Sequence, residues 1–106
     1  MLYYCAYTWN PGITIEDVGP SILEQHDEGT LHPEWIRGYY GLVGSGAGFL
    51  ILEVEDPYAL TEMLAPLMRL MTWDVRAIVE YDYHQDIEEF RQAFGQPADS
   101  SGPTVD

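Results

Sequence analysis

The sequence contains no lysine, and its basic side chains are four arginines set against 18 acidic residues. The resulting formal net charge of −14 repels the phosphate backbones of nucleic acids and the anionic surface of a membrane. The acidic residues are spread along the chain rather than concentrated in one run, which favours a role in solubility over a dedicated basic partner. We therefore expect neither nucleic acid nor membrane among the partners of this protein.

Long hydrophobic runs are also missing, since no stretch approaches the ~20 apolar residues of a membrane-spanning helix. The first residues lack the basic segment of a signal peptide, and the single cysteine, Cys5, cannot form an internal disulfide. These features lead us to expect a cytoplasmic protein. Because Cys5 lies among aromatic residues in a very acidic chain, we interpret it as a small buried residue rather than a nucleophile.

Four segments have the composition and alternation of β-strands. An aromatic-rich first strand ends at the turn Asn10-Pro11-Gly12, and the glycine-rich stretch 44–48 separates the second strand from the third. The predicted strands are residues 2–9, 35–43, 48–55 and 73–81.

Three segments carry helix signals. Thr14 with Asp17 resembles a capping box, but Gly19-Pro20 predicts either a kink or a short turn before a helix that begins at Pro20. Asp56-Pro57 favours a second helix start, and Pro66 should kink or shorten the end of that helix. A third, amphipathic helix is predicted over residues 86–94, closed by Gly95.

This order, β-α-β-β-α-β followed by a terminal helix, predicts an α+β fold of the ferredoxin-like type. Its four-stranded antiparallel sheet would carry helices on one face only. We expect one domain over residues 1–95 and a disordered tail over residues 96–106, which are polar and contain proline, glycine and serine.

Alternation along the strands assigns side chains to the two faces of the predicted sheet. We expect the helices to cover Leu50, Leu52, Val54, Val75, Ala77 and Val79. A hairpin centred on Ser45 would place Arg37 opposite Glu53, as a cross-strand ion pair, and Tyr39 opposite Ile51. The uncovered face is then the candidate ligand-binding surface, with Trp35, Arg37, Tyr39, Glu53 and Arg76.

Several motifs, in this order and spacing, resemble the domain-of-unknown-function family numbered 3303. They are Tyr7-Thr8-Trp9-Asn10-Pro11-Gly12, Gly38-Tyr39-Tyr40, Gly44-Ser45-Gly46-Ala47-Gly48-Phe49 and Glu53-Val54-Glu55-Asp56-Pro57, followed by Leu60, Pro66, Leu70-Met71 and Trp73-Asp74. The resemblance covers roughly residues 2–82. It implies the dimeric α/β-barrel arrangement, in which two ferredoxin-like sheets face each other, and it implies no particular activity.

Other motifs favour ordinary structural roles. The glycine-rich stretch lacks the Lys-Ser/Thr of a phosphate-binding loop and precedes a strand rather than a helix, so we interpret it as a hairpin. The spacing of His26, His32 and His84 matches no zinc signature, which favours surface or capping histidines. We therefore predict neither a metal site nor a cofactor.

Two classes of function remain open. We prefer a homodimeric module that binds a small molecule or a partner protein, because no catalytic triad, metal set or nucleotide motif is present. The alternative is a small cofactor-free or haem-using enzyme similar to monooxygenases of the dimeric α/β-barrel superfamily. In that case Glu53, Arg37, Tyr39 or a histidine would lie in its cleft.

Overall fold

The computed structural model describes residues 1–95, so the predicted disordered tail lies outside the described residues. The strands form one antiparallel sheet in the order β2-β3-β1-β4. This confirms the predicted α+β fold, with its β-α-β-β-α-β order and terminal helix, and is consistent with the ferredoxin-like type. The elements are β1 (Leu2–Trp9), α1 (Ile15–Glu28), β2 (Ile36–Gly41), β3 (Ala47–Glu53), α2 (Pro57–Leu64), β4 (Met71–Ile78) and α3 (Tyr83–Phe94), with short 3₁₀ turns at Pro33–Trp35 and Ala65–Leu67.

Helix α1 is continuous through Pro20, so the alternative of a helix that begins at Pro20 is wrong. Its start is fixed by the Asp17 carboxylate, which accepts a hydrogen bond from the Thr14 backbone N–H at 2.9 Å. Its end is fixed by Gly29 in the left-handed conformation, with φ of 78°. Pro20 removes one backbone donor from the helix, which is nevertheless held against the rest of the molecule by the buried Val18 and by the hydrogen bond of 2.9 Å from Gln25 Nε2 to the Met63 carbonyl.

The other two helices begin at aspartate caps. The Tyr58 N–H donates to Asp56 Oδ1 at 3.0 Å, which confirms the predicted start of α2. Asp82 caps α3 in the same way through the Gln85 N–H, so α3 begins three residues earlier than predicted. Helix α2 ends at Leu64, just before Pro66, and continues as a 3₁₀ turn, as expected from the proline.

The hydrophobic core is divided into two clusters rather than forming one. The first lies at the β3 and α2 side of the sheet and includes Cys5 and Leu52, neither of which has exposed surface. The second joins Val18 of α1 to Leu67, Leu70 and Met71. Trp73 packs against both clusters. The predicted burial of Cys5, Leu50, Leu52 and Val54 is confirmed.

The helices cover less of β4 than the alternation predicts. Val75 is 40% exposed, Val79 is 70% exposed and Ala77 is also exposed, so the expectation that the helices cover these three residues is wrong. The reason is positional, because β4 is an edge strand and Val79 follows its last residue, Ile78. Helix α3 does not compensate, since it has no buried residue.

Candidate functional site

The register between β2 and β3 decides which side chains reach the uncovered face of the sheet. Tyr39 pairs with Leu50 and Gly38 pairs with Ile51, one residue away from the predicted pairing of Tyr39 with Ile51. Since a shift of one residue moves a side chain to the other face, Tyr39 lies on the helix-covered face. Its predicted place on the open face is therefore wrong.

A β-bulge at Arg37 restores part of the predicted arrangement. The register shifts between Ile36 and Gly38, so Arg37 is the extra residue of the bulge. Its Nε donates to Glu53 Oε1 at 2.9 Å, and its Nη1 donates to the Glu34 carbonyl at 2.8 Å. The predicted ion pair between Arg37 and Glu53 is thus confirmed, with both side chains about half exposed.

Trp35 does not lie on the open face. The residues before β2 form a 3₁₀ turn with Pro33 at its start, rather than the extended strand that the prediction assumed. The indole stacks on His32 with ring centroids 4.0 Å apart and packs against the first core cluster. The predicted constellation of Trp35, Arg37, Tyr39 and Glu53 is therefore divided between different parts of the molecule.

The open face is centred on an aromatic cluster that we define as Tyr4, Tyr40 and Phe49. Phe49 lies 5.1 Å from Tyr4 and 5.0 Å from Tyr40, measured between ring centroids. Gly38 makes room for this cluster, because a Cβ there would lie 2.8 Å from Cε2 of Tyr40. No helix among residues 1–95 covers these rings. They are flanked by the ion pair of Arg37 with Glu53.

Arg76 lies on the open face, as predicted, since it pairs with Tyr4 in the sheet. Its Nη2 is 3.2 Å from Asp74 Oδ2, an ion pair in which both side chains are more than half exposed. Such exposed pairs contribute little to stability. Their position matters more, because they give the edge of the aromatic cluster charges of both signs.

An apolar groove opens on the opposite side of the sheet, between α1 and the strands. Its volume is about 230 Å³. It separates the two core clusters, and Ile15 and Tyr39 at its border are exposed to solvent. The lining residues come from every strand and from both α1 and α2, the central ones being Tyr7, Val18, Ile22, Leu50, Met63 and Trp73.

Few polar groups reach this groove. The Nε1 of Trp73 is buried and has no hydrogen-bond partner among the described residues. Burial, together with the nearby Tyr39, raises the pKa of the Tyr7 hydroxyl above its ordinary value. His26, in the last turn of α1, contributes the one imidazole of the described lining. The described lining of the groove is therefore mainly apolar, with the imidazole of His26 at one side and the covered indole N–H of Trp73 behind the surface.

The position of Tyr7 depends on Gly48 in the neighbouring strand. These two residues pair across β1 and β3, and a Cβ on Gly48 would lie 2.6 Å from the Tyr7 hydroxyl. Glycine at position 48 thus allows the phenol ring to lie across the sheet. The glycine-rich stretch 44–48 therefore forms the hairpin and allows this close approach.

The remaining candidate residues lie apart from the groove. The Cys5 side chain is buried between the sheet and α2. This burial raises the pKa of its thiol to about 11. A backbone hydrogen bond is the main cause that lowers the pKa of Glu34. The contact with His32 at 3.2 Å lowers it further. Within residues 1–95, no group of three or more His, Cys, Asp or Glu side chains is placed to hold a metal ion.

Comparisons with known proteins add no assignment to this geometry. No protein-family model matches the chain, and no curated protein shows significant similarity to it. In the part of the chain that the structure describes, no helix is both long and apolar enough to span a membrane.

The groove is the feature that sequence reasoning missed. In the sequence, Ile15, Val18 and Ile22 follow each other at helical spacing, which indicates a buried helix face. Their spacing carries no information on how closely α1 approaches the sheet. The one available signal was Gly48, because a glycine within a strand often marks a close approach by another group.

Proposed function

We propose that this protein is a homodimeric module that binds a small molecule in the groove between α1 and the sheet. The observation that carries the proposal is the groove of about 230 Å³ within the core. Protein interiors normally leave few voids larger than a water molecule. In another protein, an engineered apolar cavity of about 150 Å³ binds benzene. The groove therefore suits a ring compound somewhat larger than benzene.

The split core supports the same proposal. Trp73 packs against both core clusters, whereas the space between Val18 and Leu50 belongs to the groove. A molecule bound there would replace missing side-chain contacts and bury apolar surface on both sides. Since such a ligand binds the folded state alone, it would also raise the free energy of unfolding.

Binding can be tested by adding indane, a bicyclic hydrocarbon, to the ¹⁵N-labelled protein and recording the indole N–H signals by NMR. We expect the signals of Trp9 and Trp73, which line the groove, to move, while that of Trp35 does not. Ile22→Phe should weaken binding by narrowing the groove. Leu23→Phe is the matched control, because Leu23 is an exposed neighbour on the same helix.

Two results would contradict this part of the proposal. The first is the absence of any indole shift at saturating indane. The second is equal binding by the Ile22→Phe and Leu23→Phe variants, with both proteins folded by circular dichroism. Either result would remove the groove as a binding site.

The open face supports self-association. Tyr4, Tyr40 and Phe49 form a contiguous aromatic surface, and aromatic residues and arginine are enriched at the centres of protein interfaces. Arg37 and Arg76, each beside a carboxylate, supply a charged border. The resemblance to the family numbered 3303 implies the same arrangement, with two sheets facing each other.

Light scattering tests the dimer directly. A chain of 12.0 kDa should give a particle of twice that mass, and Tyr40→Asp should give the monomer by placing an unpaired charge in the interface. Tyr39→Asp is the matched control, since the adjacent Tyr39 lies on the other face, and it should remain dimeric. A monomeric unsubstituted protein would refute the dimer while leaving the groove proposal intact.

A further inference from the structure

We infer that the ligand of the groove is a neutral, mainly hydrocarbon ring compound that carries one hydrogen-bond acceptor, and that the acceptor bonds to the indole N–H of Trp73. This inference rests on the proposed function, because it specifies the chemistry of the same groove. It follows from the charges, the donors and the volume of the groove.

Charge restricts the ligand first. Among residues 1–95, no Asp, Glu, Lys or Arg side chain lines the groove, and His26 is the one lining residue of this range that can carry a positive charge. An ionised ligand group would lose its hydration without gaining an opposite charge, which is strongly unfavourable. Anions are further disfavoured because the formal net charge of the protein is −14.

The unpartnered donor then selects an acceptor. The indole nitrogen of Trp73 can only donate, and it is buried without a hydrogen-bond partner in residues 1–95. A buried donor without a partner is unfavourable, so a ligand oxygen that accepts from it gains more than a water-exposed contact would. The nitrogen has no surface open to the groove, so the contact requires the indole ring to turn toward the ligand.

Trp73 is well placed for this role. Its ring packs against both core clusters and lies 5.5 Å from the ring of Tyr7, measured between centroids. A planar ligand beside Trp73 would thus meet a second aromatic ring. The volume of about 230 Å³ exceeds the ~150 Å³ that accommodates benzene in another protein, which favours a bicyclic compound.

Four probes that share the indane ring system test the inference by NMR titration and calorimetry. They are indane, 1-indanone, indane-1-carboxylate and 1-aminoindane, the last as its ammonium ion. We expect 1-indanone to bind about tenfold more tightly than indane, because it adds one hydrogen bond to a buried donor. The two charged probes should bind at least about tenfold more weakly than indane. With 1-indanone, the Trp73 indole proton should move downfield.

The variant Trp73→Phe removes the donor and keeps an aromatic ring. We expect the variant to bind 1-indanone and indane with equal affinity, so that the about tenfold preference for the ketone is lost whatever the effect of the smaller ring on indane itself. Trp35→Phe is the control, since Trp35 lies outside the groove and its substitution should keep the preference for the ketone.

The outcomes separate the two proposals. If no probe binds, the proposed function itself fails. If indane and 1-indanone bind equally, or if Trp73→Phe keeps the preference for 1-indanone, the groove remains a binding site and the inferred acceptor contact is overturned. Tighter binding of either charged probe than of indane would overturn the inferred neutrality.

Discussion

The two faces of the sheet are built from the same four strands, but their apolar side chains are shielded from water in different ways. On the helix-covered face, Cys5 and Leu52 are completely enclosed, although a groove remains beside them. On the open face, Tyr4 and Phe49 are partly buried by each other and by Tyr40. Strand alternation therefore separates a face completed by helices from a face completed by neighbouring rings.

The two faces also differ in their charged side chains. The part of the chain that the structure describes lines the groove without a carboxylate or an arginine, whereas the open face carries the pairs of Arg37 with Glu53 and of Arg76 with Asp74. Neutral lining suits a small apolar ligand, because no charge must lose its hydration. A charged border around an aromatic centre is the pattern of a protein–protein surface. The difference is the basis for assigning separate roles to the two faces.

The largest expected effect comes from truncating one side chain on each face. Leu52→Ala should lower the free energy of unfolding by about 2–5 kcal/mol, since Leu52 is fully buried and leaves a cavity. Ile51→Ala, its neighbour on the open face, should lower it by about 1 kcal/mol or less. Urea denaturation of both variants in the Tyr40→Asp background removes any contribution from self-association.

Equal losses of unfolding free energy in Leu52→Ala and Ile51→Ala would contradict the difference between the two faces. That result would mean that Ile51 is as well enclosed within one chain as Leu52 is. It would also remove the open face as a surface that needs a partner.

The next effect concerns the reactivity of Cys5 beneath the helix-covered face. With the pKa raised from 9.0 to about 11, about 0.1% of the thiol is ionised at pH 8, against about 10% before the rise. We expect reaction with a disulfide reagent to be at least about 100-fold slower in the folded protein than in urea. The decisive measurement is the rate of absorbance change at pH 8.

The raised pKa of Cys5 also determines how the free energy of unfolding depends on pH. Since the folded pKa lies above the unfolded value, the unfolded state loses its thiol proton first as the pH rises. The free energy of unfolding should therefore be independent of this group below about pH 9 and fall between pH 9 and pH 11. Rapid labelling of the folded protein at pH 8 would show that water and reagent reach this side of the sheet.

Much of the fold followed from local sequence signals. The Asp56-Pro57 start and Gly95 end depend on nearby backbone geometry, and both were predicted. The register of β2 was not predictable in this way, because Gly44, Ser45 and Gly46 all adopt positive φ values and the loop centre can shift by one residue. The bulge at Arg37 adds a second shift, which only pairing with β3 defines.

The candidate site was predicted only in part for the same reason. Glu53 and Arg76 lie on the open face because alternation along their own strands places them there. Arg37 reaches Glu53 only through the bulge in β2. The groove depends on the separation between α1 and the sheet, which is a long-range property of packing. No single residue of the stripe on α1 encodes that separation.

A third comparison uses a glycine from each face. In Gly48→Ala the new Cβ would meet the Tyr40 carbonyl and lie 2.6 Å from the Tyr7 hydroxyl, so the backbone or the groove must shift. We expect a loss of about 1–3 kcal/mol in the free energy of unfolding. Gly38→Ala should cost less than about 1 kcal/mol, because the nearest atom is Cε2 of Tyr40, whose ring can move outward.

Thermal denaturation of both alanine variants checks this order. A greater loss for Gly38→Ala would show that the aromatic cluster on the open face is packed more rigidly than the wall of the groove. The same pair sharpens the binding proposal, since Gly48→Ala should also weaken indane binding by displacing Tyr7.

The smallest expected effect is the coupling between Arg37 and Glu53. Both side chains are about half exposed, so a double-mutant cycle with Arg37→Ala and Glu53→Ala should give about 0.2–1 kcal/mol in the monomeric Tyr40→Asp background. Salt should reduce it further. In the proposed dimer the same pair would lose its contact with water, and close charge pairs at one protein interface couple by about 1.5–7 kcal/mol. An equal coupling in the two backgrounds would place Arg37 and Glu53 outside the interface and confine self-association to the aromatic centre of the open face.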